Sequence, residues 1–95
     1  MSTESLTDLD TRRRRLRYRA WHRGTKEMDL VLGGFADARL NACDAAFLDR
    51  LEKLMDEEDT DLLAWITGQS PVPSHIDAEL LDILRRHQQQ AAQQQ

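Results

Sequence analysis

Apolar residues recur along this chain at the three- and four-residue spacing of an α-helix, and no segment shows the strict alternation typical of a half-buried strand. Glycine and proline residues divide this pattern into five stretches. The pattern therefore predicts an all-α fold, a compact bundle of about five short helices. The residues expected to face its interior are Leu16 and Ala20 with Tyr18 or Trp21, then Met28, Val31, Leu32, Phe35, Phe47, Leu48, Leu51, Leu54, Met55, Leu62, Leu63, Ile66, Ile76, Leu80, Ile83, Leu84 and His87.

The first two helices meet at Gly24. Asp8 or Asp10 is the expected cap of the first, which runs to His22. The second runs from about Thr25 to Arg39 and contains Gly33-Gly34. Because a glycine costs up to ~1 kcal/mol relative to alanine inside a helix, we expect this pair to weaken, kink or split the second helix.

Capping residues also mark the remaining helices. The third and fifth are each preceded by a polar residue with an acid three positions later, the spacing of a capping box. These pairs are Asn41 with Asp44 and Ser74 with Asp77. Asp59 is the expected cap of a short fourth helix that stops at Gly68, and the prolines of 69–73 predict a non-helical connection to the fifth.

Composition divides the chain into three segments. Residues 1–9 are expected to be a disordered lead-in, and residues 10–87 to form one helical domain. Residues 88–95 are six glutamines and two alanines, a low-complexity tail with little to bury. We expect this tail to fray from the last helix or to be disordered.

The chain has one cysteine, so an internal disulfide is impossible and a reducing compartment is expected. No apolar run approaches the ~20 residues that span a bilayer. The N-terminal residues include two acids and no hydrophobic segment, which argues against a secretory or organelle signal. The expected location is the cytoplasm.

Charge is unevenly distributed in this chain, whose net charge is −4. Seven of the thirteen basic residues lie between Arg12 and Arg23, and eight of the seventeen acids lie between Asp44 and Asp61. This separation predicts two faces of opposite potential that would favour docking onto a protein partner. The competing interpretation is that the arginines only solvate the outer face of a short helix.

Residues suited to catalysis or metal binding are sparse. His22, His75 and His87 lie on three different elements, and Cys43 has no partner at a metal-ligand spacing. Gly33-Gly34 follows helical sequence and lacks the lysine of a phosphate-binding loop. We therefore expect no catalytic, metal-binding or cofactor-binding residue in this chain.

The join at Arg23-Gly24-Thr25-Lys26-Glu27 carries a different kind of chemistry. Gly24 can adopt a positive φ or let another backbone approach closely. Arg23 offers a planar fork of donors, and Glu27 lies in the first turn of a helix. From their spacing alone, ordinary helix capping is the simpler explanation of both the glycine and the acid.

Two motifs together resemble the SdhE family, small factors that promote flavin attachment to succinate dehydrogenase. The first is Arg-Gly-x-x-Glu at 23–27, preceded by a basic helix with Tyr18 and followed by Met28-Asp29-Leu30. The second is an acidic pair followed by Asp-Leu-x-x-Trp, at 58–65. The resemblance covers residues 12–87 and implies an all-α bundle.

The resemblance implies a non-enzymatic helper, monomeric when free, that binds the flavoprotein subunit of succinate dehydrogenase, with fumarate reductase as a further candidate. The partner would attach its own FAD through a histidine, and the helper would bind no cofactor itself. Gly24 would let the partner approach, Arg23 would fork onto partner carboxylates or carbonyls, and Glu27 would accept donors near the flavin site. The full set of implied partner-binding residues is Tyr18, Arg23, Gly24, Glu27, Asp29, Asp59, Asp61 and Trp65.

The chain departs from the family pattern at two places. Gly33-Gly34 stands where a proline-containing turn is common, and Thr60 stands where a proline is frequent. Two other interpretations remain open. The run from Arg12 to Arg19 would suit a nucleic-acid-binding helix, although a pI near 5.3 is low for that class. A generic helical interaction or dimerisation module would use the same apolar stripes.

Overall fold

The computed structural model describes the backbone of residues 6–93 and the side chains of residues 8–90. Five α-helices and one 3-10 turn follow one another in this part of the chain, with no strand among them, so the all-α prediction is confirmed. The helices are α1 (Leu6–Trp21), α2 (Lys26–Arg39), α3 (Ala45–Met55), α4 (Asp59–Ile66) and α5 (Ala78–Gln93), and the 3-10 turn is Leu40–Ala42.

The apolar stripes of the helices meet in one core. Helix α1 packs along α2 and against α3, and α5 packs against both α2 and α4. Most residues expected inside are buried there, although Phe47, Leu63 and Ile83 are only partly buried at its edge. Tyr18 was expected to be a possible interior residue of α1, but its side chain is 66% exposed. Leu16 and Ala20 are buried on the inner face of α1, and Trp21, the alternative to Tyr18, is partly buried against Gly33 of α2.

Helix α1 begins earlier than Asp8 or Asp10, the caps expected from the sequence. It starts at Leu6, and Leu9 packs against the core. Part of the predicted disordered lead-in is therefore helical, because Leu9 adds an apolar contact to the inner face of α1. Residues 1–5 of that lead-in lie outside the described residues.

Helices α3 and α5 begin three residues later than expected. Asp44 caps α3, accepting a hydrogen bond from the Phe47 backbone N–H at 2.9 Å, while Asn41 lies in the 3-10 turn. Asp77 likewise accepts from the Leu80 N–H at 3.0 Å at the start of α5, and Ser74 lies in the preceding turn. In both pairs the acid is the cap itself and the expected capping box is wrong.

Helix α4 also starts differently from the prediction. Asp59, the expected cap, is the first residue of the helix, and Glu58 occupies the cap position without a side-chain hydrogen bond to the helix. The predicted stop is confirmed, because Gly68 adopts a φ of +79° two residues after the end of α4.

The glycine pair Gly33-Gly34 does not break α2, which runs without interruption from Lys26 to Arg39. Gly33 lies directly beneath the indole of Trp21, where an added Cβ would approach the ring to 2.3 Å. Trp21 also donates from Nε1 to Asp37 at 3.2 Å, one turn further along α2. The expected split of α2 is therefore wrong, and the absence of a side chain at Gly33 leaves room for the Trp21 indole of α1.

The basic and acidic zones of the sequence do not form two separate faces. Arg12 binds Asp49 and Glu52 of α3, with 2.7 Å to Asp49, and Arg19 binds Asp56 at 3.2 Å. The basic side of α1 thus lies against the acidic side of α3, and several charges of the two zones neutralise each other. This corrects the expectation of a dipolar surface and weakens the nucleic-acid interpretation, since fewer arginines are left for phosphates.

Helix α5 continues through Gln93 instead of ending at His87. Alanine and glutamine are both good helix formers, which accounts for the extension of the helix into the glutamine-rich tail. Gln94 and Gln95 lie outside the described residues. None of the helices in the described part of the chain is long and apolar enough to cross a membrane.

Candidate partner-binding site

The turn between α1 and α2 is built around Gly24, and we call residues 23–27 the α1–α2 corner. Gly24 has a φ of +110°, a conformation that L-residues rarely adopt. A Cβ added at this position would meet no atom of the chain within 4 Å. The backbone conformation therefore requires glycine, while the space in front of it is open to solvent.

Thr25 starts α2 directly after this glycine. Its hydroxyl accepts a hydrogen bond from the Met28 N–H at 3.4 Å, and its backbone is extended, as expected for a cap. The sequence placed Thr25 at the start of this helix, and that prediction is confirmed. The capping fixes the direction in which the first turn of α2, and with it Glu27, leaves the corner.

Arg23 fastens the corner to the junction between α3 and α4. Its Nε donates to the Asp59 carboxylate at 2.7 Å, and its terminal nitrogens donate to the backbone carbonyls of Met55 and Glu57. The Met55 carbonyl belongs to the last residue of α3 and would otherwise lack a helical partner. The Arg23 side chain is only 11% exposed.

Asp29 holds the corner from the other side. Its carboxylate accepts a hydrogen bond from the Arg23 backbone N–H at 2.7 Å. Arg23 is thus fixed both through its main chain, by α2, and through its side chain, by the α3–α4 junction. The corner is consequently a rigid part of the bundle, unlike a freely moving loop.

Tyr18 and His22 form the outer wall beside the corner. Their rings stack with centroids 3.9 Å apart, and the His22 Nδ1 lies 2.7 Å from the Tyr18 carbonyl oxygen. Together with Arg23 and the acidic run Asp56-Glu57-Glu58-Asp59 they line a shallow cleft of about 480 Å³. This cleft presents an aromatic wall on one side and carboxylates on the other.

Glu27 is exposed in the first turn of α2, and no hydrogen bond or ion pair to it is found among the described residues. Leu30, one turn further along the same helix, is 52% exposed. Leu30 and Tyr18 are the two large hydrophobic side chains that are exposed in the described part of the chain. Both belong to the helices that meet at the corner.

The sequence of this chain matches a family of known proteins. Residues 14–88 match the family model described as "Flavinator of succinate dehydrogenase". The chain belongs to the SdhE family. It is 41% identical over 74 residues to the FAD assembly factor SdhE of Acetobacter pasteurianus, a match that covers 78% of this chain and 68% of the relative.

Eukaryotic relatives of the SdhE family match as well. The chain is 40% identical over 76 residues to the mitochondrial succinate dehydrogenase assembly factor 2 of Schizosaccharomyces japonicus, covering 79% of this chain and 53% of the relative. It is 40% identical over 65 residues to the factor of the same name from Mycosarcoma maydis, covering 68% of this chain and 27% of the relative. The chain thus spans about half, or less, of these longer proteins.

The structure brings the two SdhE motifs together through the Arg23–Asp59 ion pair, although 36 residues separate them in sequence. It also changes what several residues can do. The guanidinium group of Arg23, which was expected to bind a partner, donates to Asp59 and to two backbone carbonyls of the same chain. Asp29 accepts from the Arg23 backbone N–H. Arg23, Asp29 and Asp59 shape the corner from within the chain, and a direct contact of Arg23 with a partner stays a prediction.

Trp65 does not reach the surface. Its side chain is 7% exposed and belongs to the core, because it lies on the inner side of α4 with Leu62 and Ile66. The resemblance implied a partner contact for Trp65, whereas in this structure its side chain packs in the core. Asp61 is exposed in the first turn of α4, and Tyr18, Gly24 and Glu27 are exposed around the corner.

Sequence reasoning missed two contributors to this surface. Leu30 was named only as part of the motif that follows Glu27, and its exposure depends on which side of α2 faces solvent. The sequence predicted no metal-binding role for His22, and it did not predict that the His22 ring stacks on Tyr18. Tyr18 and His22 are four residues apart, a spacing that brings two side chains together on a helix, and this was the signal in the sequence. No group of three or more metal-binding side chains occurs among the described residues.

Proposed function

We propose that this chain is an assembly factor that binds the flavoprotein subunit of succinate dehydrogenase and promotes the covalent attachment of FAD to it. The observation that carries the proposal is the family match over residues 14–88, together with the two motifs that meet at one corner. Fumarate reductase, whose flavoprotein carries out related chemistry, is a second candidate partner. The proposal places this event in the cytoplasm.

The corner suits docking onto a larger protein. Gly24 has no side chain and has open space in front of its backbone, and Glu27 presents an exposed carboxylate in the first turn of α2. Arg23, Asp29 and Asp59 hold both residues in place from within the chain. A partner therefore meets a preformed surface, and little conformational entropy is lost when it binds.

In this proposal the chain supplies orientation, and the bond is formed by the partner. A histidine of the flavoprotein would become joined to the 8α-carbon of the isoalloxazine ring, and the rate of that reaction would depend on the relative placement of the two groups. Binding of the helper favours the conformer in which histidine and flavin are aligned, and alignment alone can lower a barrier by several kcal/mol. No acid, base or cofactor of this chain is required.

Co-expression with the flavoprotein subunit tests the proposal. Covalent flavin is scored by in-gel fluorescence after denaturing electrophoresis, and complex formation by co-purification. We expect the wild-type chain to co-purify with the subunit and to raise its flavin fluorescence. Glu27→Gln, which keeps the size of the side chain but removes its charge, should lower both signals, whereas Lys53→Gln on the exposed side of α3 should not.

Gly24→Arg provides a second test with a matched control. Gly68 is also a positive-φ glycine with open space around it, so Gly68→Arg brings comparable backbone strain and the same bulk at another surface. We expect Gly24→Arg, but not Gly68→Arg, to abolish stimulation. Equal stimulation by folded Gly24→Arg protein, or absence of any complex with the wild-type chain, would contradict the proposal.

A further inference from the structure

A second concave surface lies at the opposite end of α2 from the corner. It is a cleft of about 350 Å³ between the end of α2, the 3-10 turn, the start of α3 and the second half of α5, and we call it the α2–α5 cleft. Arg39 lines it at the last position of α2, thirteen residues after Lys26. At 1.5 Å per residue this is roughly 20 Å from the corner along the helix. The cleft is therefore separate from the proposed partner-binding site.

The floor of the cleft is apolar and aromatic. Phe35 is buried beneath it, and the ring of Phe47 lies 6.2 Å from that of Phe35, centroid to centroid. Ile83 of α5 is partly buried and also lines the cleft. The ring of His87 meets Phe35 nearly at right angles, at 85° and 5.6 Å. These rings form a preformed apolar surface that a planar or short aliphatic group can cover.

The rim of the cleft is cationic. Arg39 and Arg86 line it, and its lining, which falls wholly within the described residues, includes no acid. Arg86 pairs with Asp82 at 2.9 Å, while Arg39 has no ion pair among the described residues. Burial raises the pKa of the Cys43 thiol, so this lining residue adds no negative charge at neutral pH.

We propose that the α2–α5 cleft binds a small amphipathic anion, with an apolar ring or short chain against Phe35, Phe47 and Ile83 and a carboxylate near Arg39 and Arg86. The volume is at the lower end of ligand pockets, about 300–1,000 Å³, which suits a molecule the size of an aryl carboxylate. Charge complementarity selects the anion, since a cation would meet two guanidinium groups. The site is independent of the proposed function in flavin attachment.

Phenylacetate is a suitable probe, with phenylacetamide as its neutral counterpart and 2-phenylethylamine as the cation. Two readouts report on the cleft in the full-length chain. Amide shifts in ¹H–¹⁵N spectra should change around residues 39–47 and 83–90, and the rate at which N-ethylmaleimide alkylates Cys43 should fall. Because the ligand is small and the rim is exposed, we expect a dissociation constant on the order of 1 mM.

Variants distinguish the cleft from general surface binding. Arg39→Gln should weaken phenylacetate binding by up to about fivefold, the upper end of the range expected for an exposed charge pair. Arg14→Gln removes an exposed arginine from α1 and should leave binding unchanged. The proposal is overturned if phenylacetate produces neither shifts nor protection at about 10 mM, a concentration well above the expected dissociation constant. It is equally overturned if the amine binds as well as the acid, or if Arg39→Gln binds as tightly as the wild type.

Discussion

The Nε of Arg23 lies 2.7 Å from the carboxylate of Asp59 and joins two sequence motifs that are 36 residues apart. The pair is well shielded, with 11% and 18% of the two side chains exposed. The same guanidinium group also satisfies the carbonyls of Met55 and Glu57. The arginine of the first motif is therefore a structural link between the α1–α2 corner and the start of α4.

We predict that Arg23→Ala lowers the free energy of unfolding by about 3 kcal/mol, because one substitution leaves a shielded carboxylate and two carbonyls without their donor. Urea unfolding followed by circular dichroism measures this loss. Arg19→Ala, which removes the exposed pair with Asp56, should cost at most about 1 kcal/mol. Equal losses for the two variants would show that the Arg23 contacts contribute no more than a surface ion pair.

Gly33 and Gly34 give a matched pair of substitutions in one helix. A Cβ at Gly33 would lie 2.3–2.7 Å from the Trp21 ring, whereas a Cβ at Gly34 would meet nothing within 4 Å. We expect Gly33→Ala to destabilise the fold by about 1–3 kcal/mol through overpacking. Gly34→Ala should stabilise it by up to about 1 kcal/mol through helix propensity. Thermal unfolding compares both with the wild type, and a change in the same direction for both would contradict the close packing of Trp21 on Gly33.

Much of the fold could be predicted because helical periodicity directly encodes which residues face the core. Leu16 and Ala20 of α1 and Met28 of α2 illustrate this, since each lies on its apolar stripe and is buried. The capping residues of the helices were predicted less accurately. Asn41 and Asp44 are separated by three residues and either could start α3, so the choice depends on the 3-10 turn that the chain forms first.

The sequence motif located the candidate site, but it did not predict which residues contact one another there. The positive φ of Gly24 follows from local turn chemistry and was anticipated. The partners of Arg23 were not, because they depend on where residues 55–59 lie in the folded chain. The same holds for Trp21, whose contact with Gly33 turns an apparent helix breaker into a packing site.

Stability should depend on pH through Asp77, which caps α5 and accepts two hydrogen bonds from Arg50, at 2.7 and 3.0 Å. The hydrogen bonds from Arg50 are the main cause that lowers the pKa of Asp77 in the folded chain. Its contribution is therefore fully present above the unfolded pKa of about 3.9 and is lost as the pH falls through the lower folded value.

We predict that Asp77→Asn, which keeps the cap but loses the ion pair, reduces the acid-side slope of the free energy of unfolding below pH ~4. Urea titrations at closely spaced pH values measure that slope. Asp61→Asn is the control, because Asp61 is exposed in the first turn of α4 and pairs with no described residue. An unchanged slope in Asp77→Asn would mean that other carboxylates account for the acid sensitivity.

Leu30 tests whether the exposed apolar side chains near the corner contact the partner. It is 52% exposed and lies three residues after Glu27, so the two share one side of α2. If the flavoprotein subunit covers this side, burying Leu30 adds apolar contact that polar substitution removes. We predict that Leu30→Gln changes the free energy of unfolding by less than about 0.5 kcal/mol, as is usual at the surface, yet weakens co-purification with the subunit. Ala38→Gln, near the far end of the same helix, should retain binding. If Leu30→Gln binds and stimulates like the wild type while Glu27→Gln does not, the contact surface extends from the corner toward Tyr18 and His22 instead of along α2.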